Sequence, residues 1–286
     1  LFSFLFGYSF VLQIDAAERA GARFVPRMLR RVLGLFALGV GHIVLLYGGD
    51  VLTTYAVVCL ALLAMYRVGD RVALRTAGII YALVTLSLIG SAAFLDPSAF
   101  MPSHNEALRE AAVQTQAMLG SPAEIVAHHV AGLDLLVIQA ASLQGPTALA
   151  MFLLGMVAAR RRMFSGLGGQ PVILRNAQRI GFAVGVPGGV LYALLGGDTN
   201  TWATAVSVVT APFLTAAYVA TLIRTMHAPG GTWVRGALAP VGRIALTNYL
   251  GQSLVGIILF TGVGFGLAGQ VSPPLLLVLA VIVFAA

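Results

Sequence analysis

Lysine is absent from this chain of 286 residues, cysteine occurs once, and charged residues of all kinds make up only 9%. The single Cys59 sits inside an apolar run, which excludes both a disulfide framework and a cysteine-based metal site. A soluble domain normally carries about 25% charged residues. So little charge cannot clothe a surface that faces water, and with 59% hydrophobic residues and a mean hydropathy of +0.93 the surroundings are lipid. No P-loop, G-x-S-x-G or H-E-x-x-H pattern occurs, which removes the soluble-type hydrolase motifs. All 17 cationic side chains are arginine, and together with abundant Ala, Gly and Val this reads as the codon bias of a GC-rich bacterial genome. The net charge of +7 does not point to nucleic acid, because the arginines sit at the ends of apolar runs and form no continuous patch.

What remains is a succession of apolar runs, and the fold class they predict is an all-α, polytopic bundle of transmembrane helices. Residues 1–14 read as the tail of one span. Full runs follow at 28–47, 51–68, 76–95, 147–163, 179–195, 201–223 and 244–262, and residues 274–286 open another. This amounts to about seven complete spans flanked by incomplete ones, each full run near the ~20 residues that cross a bilayer. Both ends fall inside apolar runs, so the sequence reads as one transmembrane domain over 1–286, cut from a longer chain.

Arginine placement sets the orientation. Arg19, Arg23, Arg27, Arg30 and Arg31 lie in the first connection, and Arg67, Arg71 and Arg75 two connections later. Arg160, Arg161, Arg162, Arg175 and Arg179 follow, then Arg224, Arg235 and Arg243. Alternating spans put all of these on one face, which the positive-inside rule makes the cytoplasmic face of a bacterial plasma membrane; only Arg109 falls outside. The same rule places residues 96–142 as an extracytoplasmic loop. Its apolar part, 123–142, carries Glu124, His128, His129 and Asp134 and reads as an amphipathic or re-entrant helix.

Residues 31–53 align with 179–201 without gaps: both run from an arginine to a Gly-Gly-Asp turn, as parallel transporter repeats do. The first copy differs by holding His42 where the second has Val190. Ionisable groups within spans are expensive and therefore candidates for function. His42, about 16 Å along its helix from Arg31, suits general-base work on a hydroxyl or amine, or else fixes packing through a hydrogen bond. Asp50 either orients that imidazole, binds a polar substrate or caps the next helix, whereas Asp198 reads as a cap. In the penultimate run, Asn248 and Gln252 share a helix face and, with Tyr249, are candidate substrate-binding groups; Thr247 and Ser253 read as interhelical hydrogen-bond glue. The Arg160–Arg162 run is either a topology signal or a binder of phosphate, from a lipid headgroup or coenzyme A. His128 and His129 are adjacent, point about 100° apart on a helix and do not make a metal site.

In order along the chain, Leu5-Phe6-Gly7, Arg30-Arg31, Gly41-His42, Gly49-Asp50-Val51-Leu52, Tyr55-Ala56, Leu153-Leu154-Gly155-Met156 and the stretch from Gly242 to Ser253 resemble the YeiB-like family of bacterial inner-membrane proteins, domain of unknown function 418. That family is similar in architecture to transmembrane acyltransferases that pass an acyl group from coenzyme A to a sugar amine. The resemblance implies acyl transfer to an extracytoplasmic or membrane-associated acceptor, a small molecule or glycan, with acyl-CoA as donor. Two family segments are missing here, an amino-terminal helix with an Asp-x-x-Arg-Gly signature and a closing segment rich in Trp and Arg. Two alternatives stand beside acyl transfer: a small-molecule or lipid transporter or flippase, and a non-catalytic membrane scaffold.

Overall fold

The computed structural model describes residues 1–95, 104–164 and 171–285. It is 84% helical, with no strand among the described residues. Thirteen α-helices are described: α1 (Phe2–Arg19), α2 (Phe24–Leu45), α3 (Leu52–Ala64), α4 (Asp70–Phe94), α5 (His104–Leu119), α6 (Pro122–Ala131), α7 (Leu133–Gln139), α8 (Gly145–Arg160), α9 (Pro171–Leu194), α10 (Thr201–His227), α11 (Gly231–Arg243), α12 (Ala245–Phe260) and α13 (Pro273–Ala285). Every apolar run read from the sequence coincides with one of these helices.

Fewer of them are long enough to cross a bilayer than the sequence predicts. Four helical stretches have the length and apolarity required: Phe24–Leu45, Asp70–Phe94, Leu133–Arg160 and Thr201–His227. A fifth results if α11 and α12, which meet at a bend of 74°, act as one span. The expected seven complete spans therefore reduce to four or five on length and composition, for identifiable reasons. The 13 residues of α3 rise only about 20 Å, short of a hydrocarbon core of roughly 30 Å. Helix α9 spends its first turns on Arg175 and Arg179 and contains Pro187.

The chain divides into two compact units, the first made of Leu1–Gly34, Thr54–Met101 and Ala140–Gly236, the second of Leu35–Thr53, Pro102–Gln139 and Ala237–Ala286. In the first, small residues bring helix backbones together, the usual solution where lipid supplies no hydrophobic drive for association. Gly181, Gly185 and Gly188 form a stripe on α9 against Ala217, Leu214 and Thr210 of α10, where any added Cβ would collide. The neighbouring Gly189 faces open space. Gly185→Leu is therefore expected to destabilise the protein by about 1–3 kcal/mol, read as a lower Tm in detergent, while Gly189→Leu leaves Tm unchanged. Phe6 stacks on Phe152 with ring centres 4.5 Å apart, placing α1 against α8.

The segment expected as one helix over 123–142 is divided at Gly132. Ser121 caps α6 reciprocally: its hydroxyl accepts from the Glu124 amide at 3.4 Å and its own amide donates to Glu124 Oε2 at 2.7 Å. The Ser121 amide foremost, and its hydroxyl, which also donates to Oε2 at 2.7 Å, hold the Glu124 carboxyl below the ordinary glutamate range. Beyond Gly132 the chain runs through α7 and a wide π-type turn at Ala140–Gln144 into α8, just ahead of Pro146, which has no amide to donate. Residues 96–103, with Pro97 and Pro102, lie outside the described residues. In the second unit the chain leaving α12 doubles back: the amides of Phe265, Leu267 and Ala268 bond the carbonyls of Ile258, Leu259 and Phe260. These bonds satisfy carbonyls that a helix end otherwise leaves orphaned.

Candidate active site

Helix α2 carries its histidine in its last turn. The amides of Leu46 and Tyr47 both donate to the carbonyl of His42, at 2.9 and 2.8 Å, which stops the helix and turns the chain through Gly48 and Gly49 to Asp50. Gly39, one turn before His42, lets this hairpin close: a Cβ there would stand 2.7 Å from the Thr53 amide nitrogen and 3.0 Å from Asp50 Oδ2. The tight reversal carries the Asp50 carboxylate back to the imidazole. Both are sealed, His42 at 1% exposure and Asp50 at 0%.

The carboxylate divides its two oxygens between two tasks. Oδ2 accepts from the Thr53 amide at 2.8 Å and the Thr53 hydroxyl at 3.1 Å, which caps the start of α3. Oδ1 lies 3.0 Å from His42 Nδ1 and accepts from the Tyr249 hydroxyl at 3.3 Å. The Nδ1–H direction lies off the ideal line, so the His42–Asp50 contact is an ion-pair distance and not a well-aimed hydrogen bond. Of the three readings of Asp50 from the sequence, the Thr53 bonds have the geometry of the cap, and the 3.0 Å approach to Nδ1 sets the carboxylate beside the imidazole.

On the far side of the ring, His42 Nε2 is 2.8 Å from the Ser253 hydroxyl. An anionic acceptor beside Nδ1 favours the tautomer protonated there, leaving the Nε2 lone pair to accept the Ser253 proton. Ser253 also lies 3.3 Å from the carbonyl of Tyr249, one turn earlier on α12, and the Tyr249 ring packs 4.9 Å from the imidazole centre. His129, from the last turn of α6, is also buried in this unit and sits with Nδ1 3.2 Å from the Val44 carbonyl. The assembled order is Asp50, His42, Ser253, held by Thr53 and Tyr249.

Of the residues singled out from the sequence, His42, Asp50 and Tyr249 meet. Asn248 and Gln252 are not bonded to that trio: Asn248 is half-buried, while Gln252 is exposed and borders an apolar groove between α12 and α13 lined by Leu259, Leu276 and Val283. Ser253, set aside as glue, stands at the imidazole. One signal could have found it: Ser253 is ten residues past Arg243, about 15 Å, the nearest polar residue on α12 to the depth of His42. The i, i+4 pair that faces the histidine is Tyr249 and Ser253, one residue on from Asn248 and Gln252.

The arginine run belongs to the other unit. Arg160 donates to the carbonyls of Val68, at 2.7 Å, and Tyr66, and lies 3.5 Å from Asp70; Arg161 Nε reaches Asp70 at 2.9 Å. Arg162 is exposed, with φ of 49° in the left-handed region. Arg160 is thus engaged in closing the turn between α3 and α4. Arg160→Ala is expected to cost about 1–3 kcal/mol by orphaning those carbonyls. Arg162→Ala stays within about 0.5 kcal/mol, and thermal unfolding of the two variants separates them.

The two Gly-Gly-Asp turns also part company. Gly196 and Gly197 adopt φ of 99° and 62°, whereas neither Gly48 nor Gly49 has a positive φ. In the second turn Asn200 caps α10, accepting from the Trp202 amide at 2.9 Å; the Asp198 side chain lies outside the described residues.

Residues 158–286 match the family model described as a protein of unknown function, DUF418. The uncharacterized protein YxaH of Bacillus subtilis (strain 168) is 30% identical over 289 residues, covering 96% of this chain and 68% of that protein. An uncharacterized 39.9 kDa protein from the amylase 3' region of Bacillus acidopullulyticus is 27% identical over 289 residues, covering 95% of this chain and 67% of its own. No solved structure matches.

Proposed function

This chain belongs to the DUF418 family of proteins of unknown function, and from that membership and the His42 cluster we propose that it is a membrane enzyme that transfers an acyl group to a hydroxyl or amine. The observation that carries the reading is the sealed Asp50–His42 pair with the imidazole Nε2 directed at a hydroxyl 2.8 Å away. A carboxylate on Nδ1 fixes the tautomer and offsets the positive charge that builds on the ring as it takes a proton; that is what a general base requires. His42 is the base and Asp50 its orienter. Tyr249 steadies the carboxylate, and Asn248 and Gln252 contact donor or acceptor. The donor is an acyl thioester such as acyl-CoA. Separately, the exposed Arg161 and Arg162 suit phosphate, from a lipid headgroup or from coenzyme A. The acceptor is a small molecule or glycan at or beyond the membrane surface.

In the accompanying topology the short helix α3, the arginine-bearing α9 and the bent α11–α12 pair also cross, giving the seven-span arrangement with arginine-rich connections in the cytoplasm of a bacterial cell, and α13 opens a further span. Transport or flipping is the second reading, supported by interruptions inside apolar helices: the wide turn at Ala140–Gln144 and Pro187 within α9. The purified protein in lipid vesicles, supplied with labelled acyl-CoA and candidate sugar or amine acceptors, separates the two. Label passing to an acceptor supports transfer. Accumulation of unmodified solute inside the vesicles supports transport, and silence in both assays leaves a scaffold.

A further inference from the structure

A base that accepts a proton directly from an incoming substrate must have its lone pair open to that substrate. His42 does not. Its ring is 1% exposed, Asp50 closes one edge, and the Ser253 hydroxyl stands on Nε2 at 2.8 Å. Ser253 itself is only half-buried, the least enclosed of the three residues. An acceptor alcohol seeking Nε2 would have to expel Ser253 from a short hydrogen bond, whereas attack by Ser253 itself uses that bond as it stands.

We infer that Ser253 is a nucleophile, activated by His42 and Asp50, and that it carries the acyl group as a covalent ester between donor and acceptor. This rests on the acyl-transfer reading of the same site and deepens it. In the first half, Ser253 Oγ bonds the carbonyl carbon of an acyl thioester while its proton passes to His42 Nε2. The carbon–sulfur bond then breaks, and the departing thiolate takes that proton. In the second half, the hydroxyl or amine of the acceptor gives its proton to Nε2 and attacks the ester carbon; the carbon–Oγ bond breaks and Ser253 recovers the proton. Atoms and charge balance with no other co-reactant.

Three placements support the relay. Asp50 is held from three donors, the Thr53 amide and hydroxyl and the Tyr249 hydroxyl, so its free direction is toward the imidazole. His42 sits in the last turn of α2, tied by the Leu46 and Tyr47 amides on its carbonyl, so the ring is anchored at its root. Ser253 has one alternative acceptor, the Tyr249 carbonyl at 3.3 Å, a longer contact than the one to Nε2. A hydroxyl serving only to join two helices needs no buried carboxylate behind its partner.

The test uses purified protein in lipid nanodiscs, treated separately with a fluorophosphonate and with radiolabelled acyl-CoA without acceptor, then digested and mapped by mass spectrometry. The expected result is one adduct per chain on the peptide bearing Ser253, formed at least about 10²-fold more slowly in His42→Gln and Asp50→Asn. Ser253→Ala abolishes both adducts. Ser253→Cys restores the acyl adduct as a thioester, which a loss through misfolding would not allow. Acyl transfer that proceeds in Ser253→Ala at the wild-type rate, with no adduct on the wild type, overturns the nucleophile and leaves the acyl-transfer reading standing. A fluorophosphonate adduct on Ser253 with no transfer from acyl-CoA to any acceptor supports the nucleophile and removes that reading. No adduct and no transfer remove both.

Discussion

Acyl transfer by the His42→Gln protein is expected to fall by about 10² to 10⁴-fold in kcat, the range that a positioned general base contributes. Glutamine is the informative replacement. Its side-chain amide can donate to Asp50 Oδ1 from near the imidazole position, so the buried carboxylate keeps a partner, yet it has no lone pair able to take a proton at neutral pH. The neighbouring bonds from Thr53 and Tyr249 to Asp50 need not change. His42→Ala removes the same base but also strips the ion-pair neighbour from a fully buried carboxylate, adding a stability loss of about 1–3 kcal/mol. Measuring kcat together with thermal unfolding separates the variants: His42→Gln loses rate at nearly unchanged Tm, and His42→Ala loses both. Wild-type turnover in His42→Gln would remove the base assignment.

The helices were legible because apolar runs in a membrane protein are long and bounded by charge, and that pattern survives without any knowledge of packing. Span number was less legible. An apolar run records only that residues avoid water, and α3 shows how such a run can hold a helix too short for the bilayer. At the site, His42 and Asp50 stood out because ionisable groups amid apolar residues are conspicuous in one dimension. The turn that joins them was written in Gly48-Gly49, but not the backbone approach at Gly39, which only the three-dimensional hairpin explains. Ser253 was hidden by its own chemistry. Serine is cheap in a membrane helix because it can bond its own i−4 carbonyl, here that of Tyr249 at 3.3 Å, so nothing in the sequence marks a hydroxyl that has an imidazole beside it. The one-residue offset between Asn248/Gln252 and Tyr249/Ser253 is a rotation of about 100°, and helical periodicity alone does not say which face meets a neighbour.

Asp50→Asn is expected to reproduce the rate loss of His42→Gln to within about tenfold while sparing the fold, through the wrong tautomer and not through a lost contact. Helix α3 fixes how the new amide sits. Its carbonyl oxygen must take the place of Oδ2, because the Thr53 amide and hydroxyl both donate there. The NH₂ group then occupies the place of Oδ1, facing His42 Nδ1, and a donor at that point demands an acceptor. The imidazole responds by moving its proton to Nε2, which now donates toward Ser253 and can no longer take a proton from it. The cap of α3 survives, so Tm falls by little more than the loss of the Tyr249 hydroxyl bond, about 1 kcal/mol. Asp50→Ala, by contrast, removes cap and orienter together and lowers both rate and stability. Nitrogen-15 NMR of ring-labelled histidine reads the tautomer directly: the protonated nitrogen is Nδ1 in the wild type and Nε2 in Asp50→Asn. If the variant keeps the Nδ1 proton and the wild-type rate, Asp50 is a helix cap and nothing more.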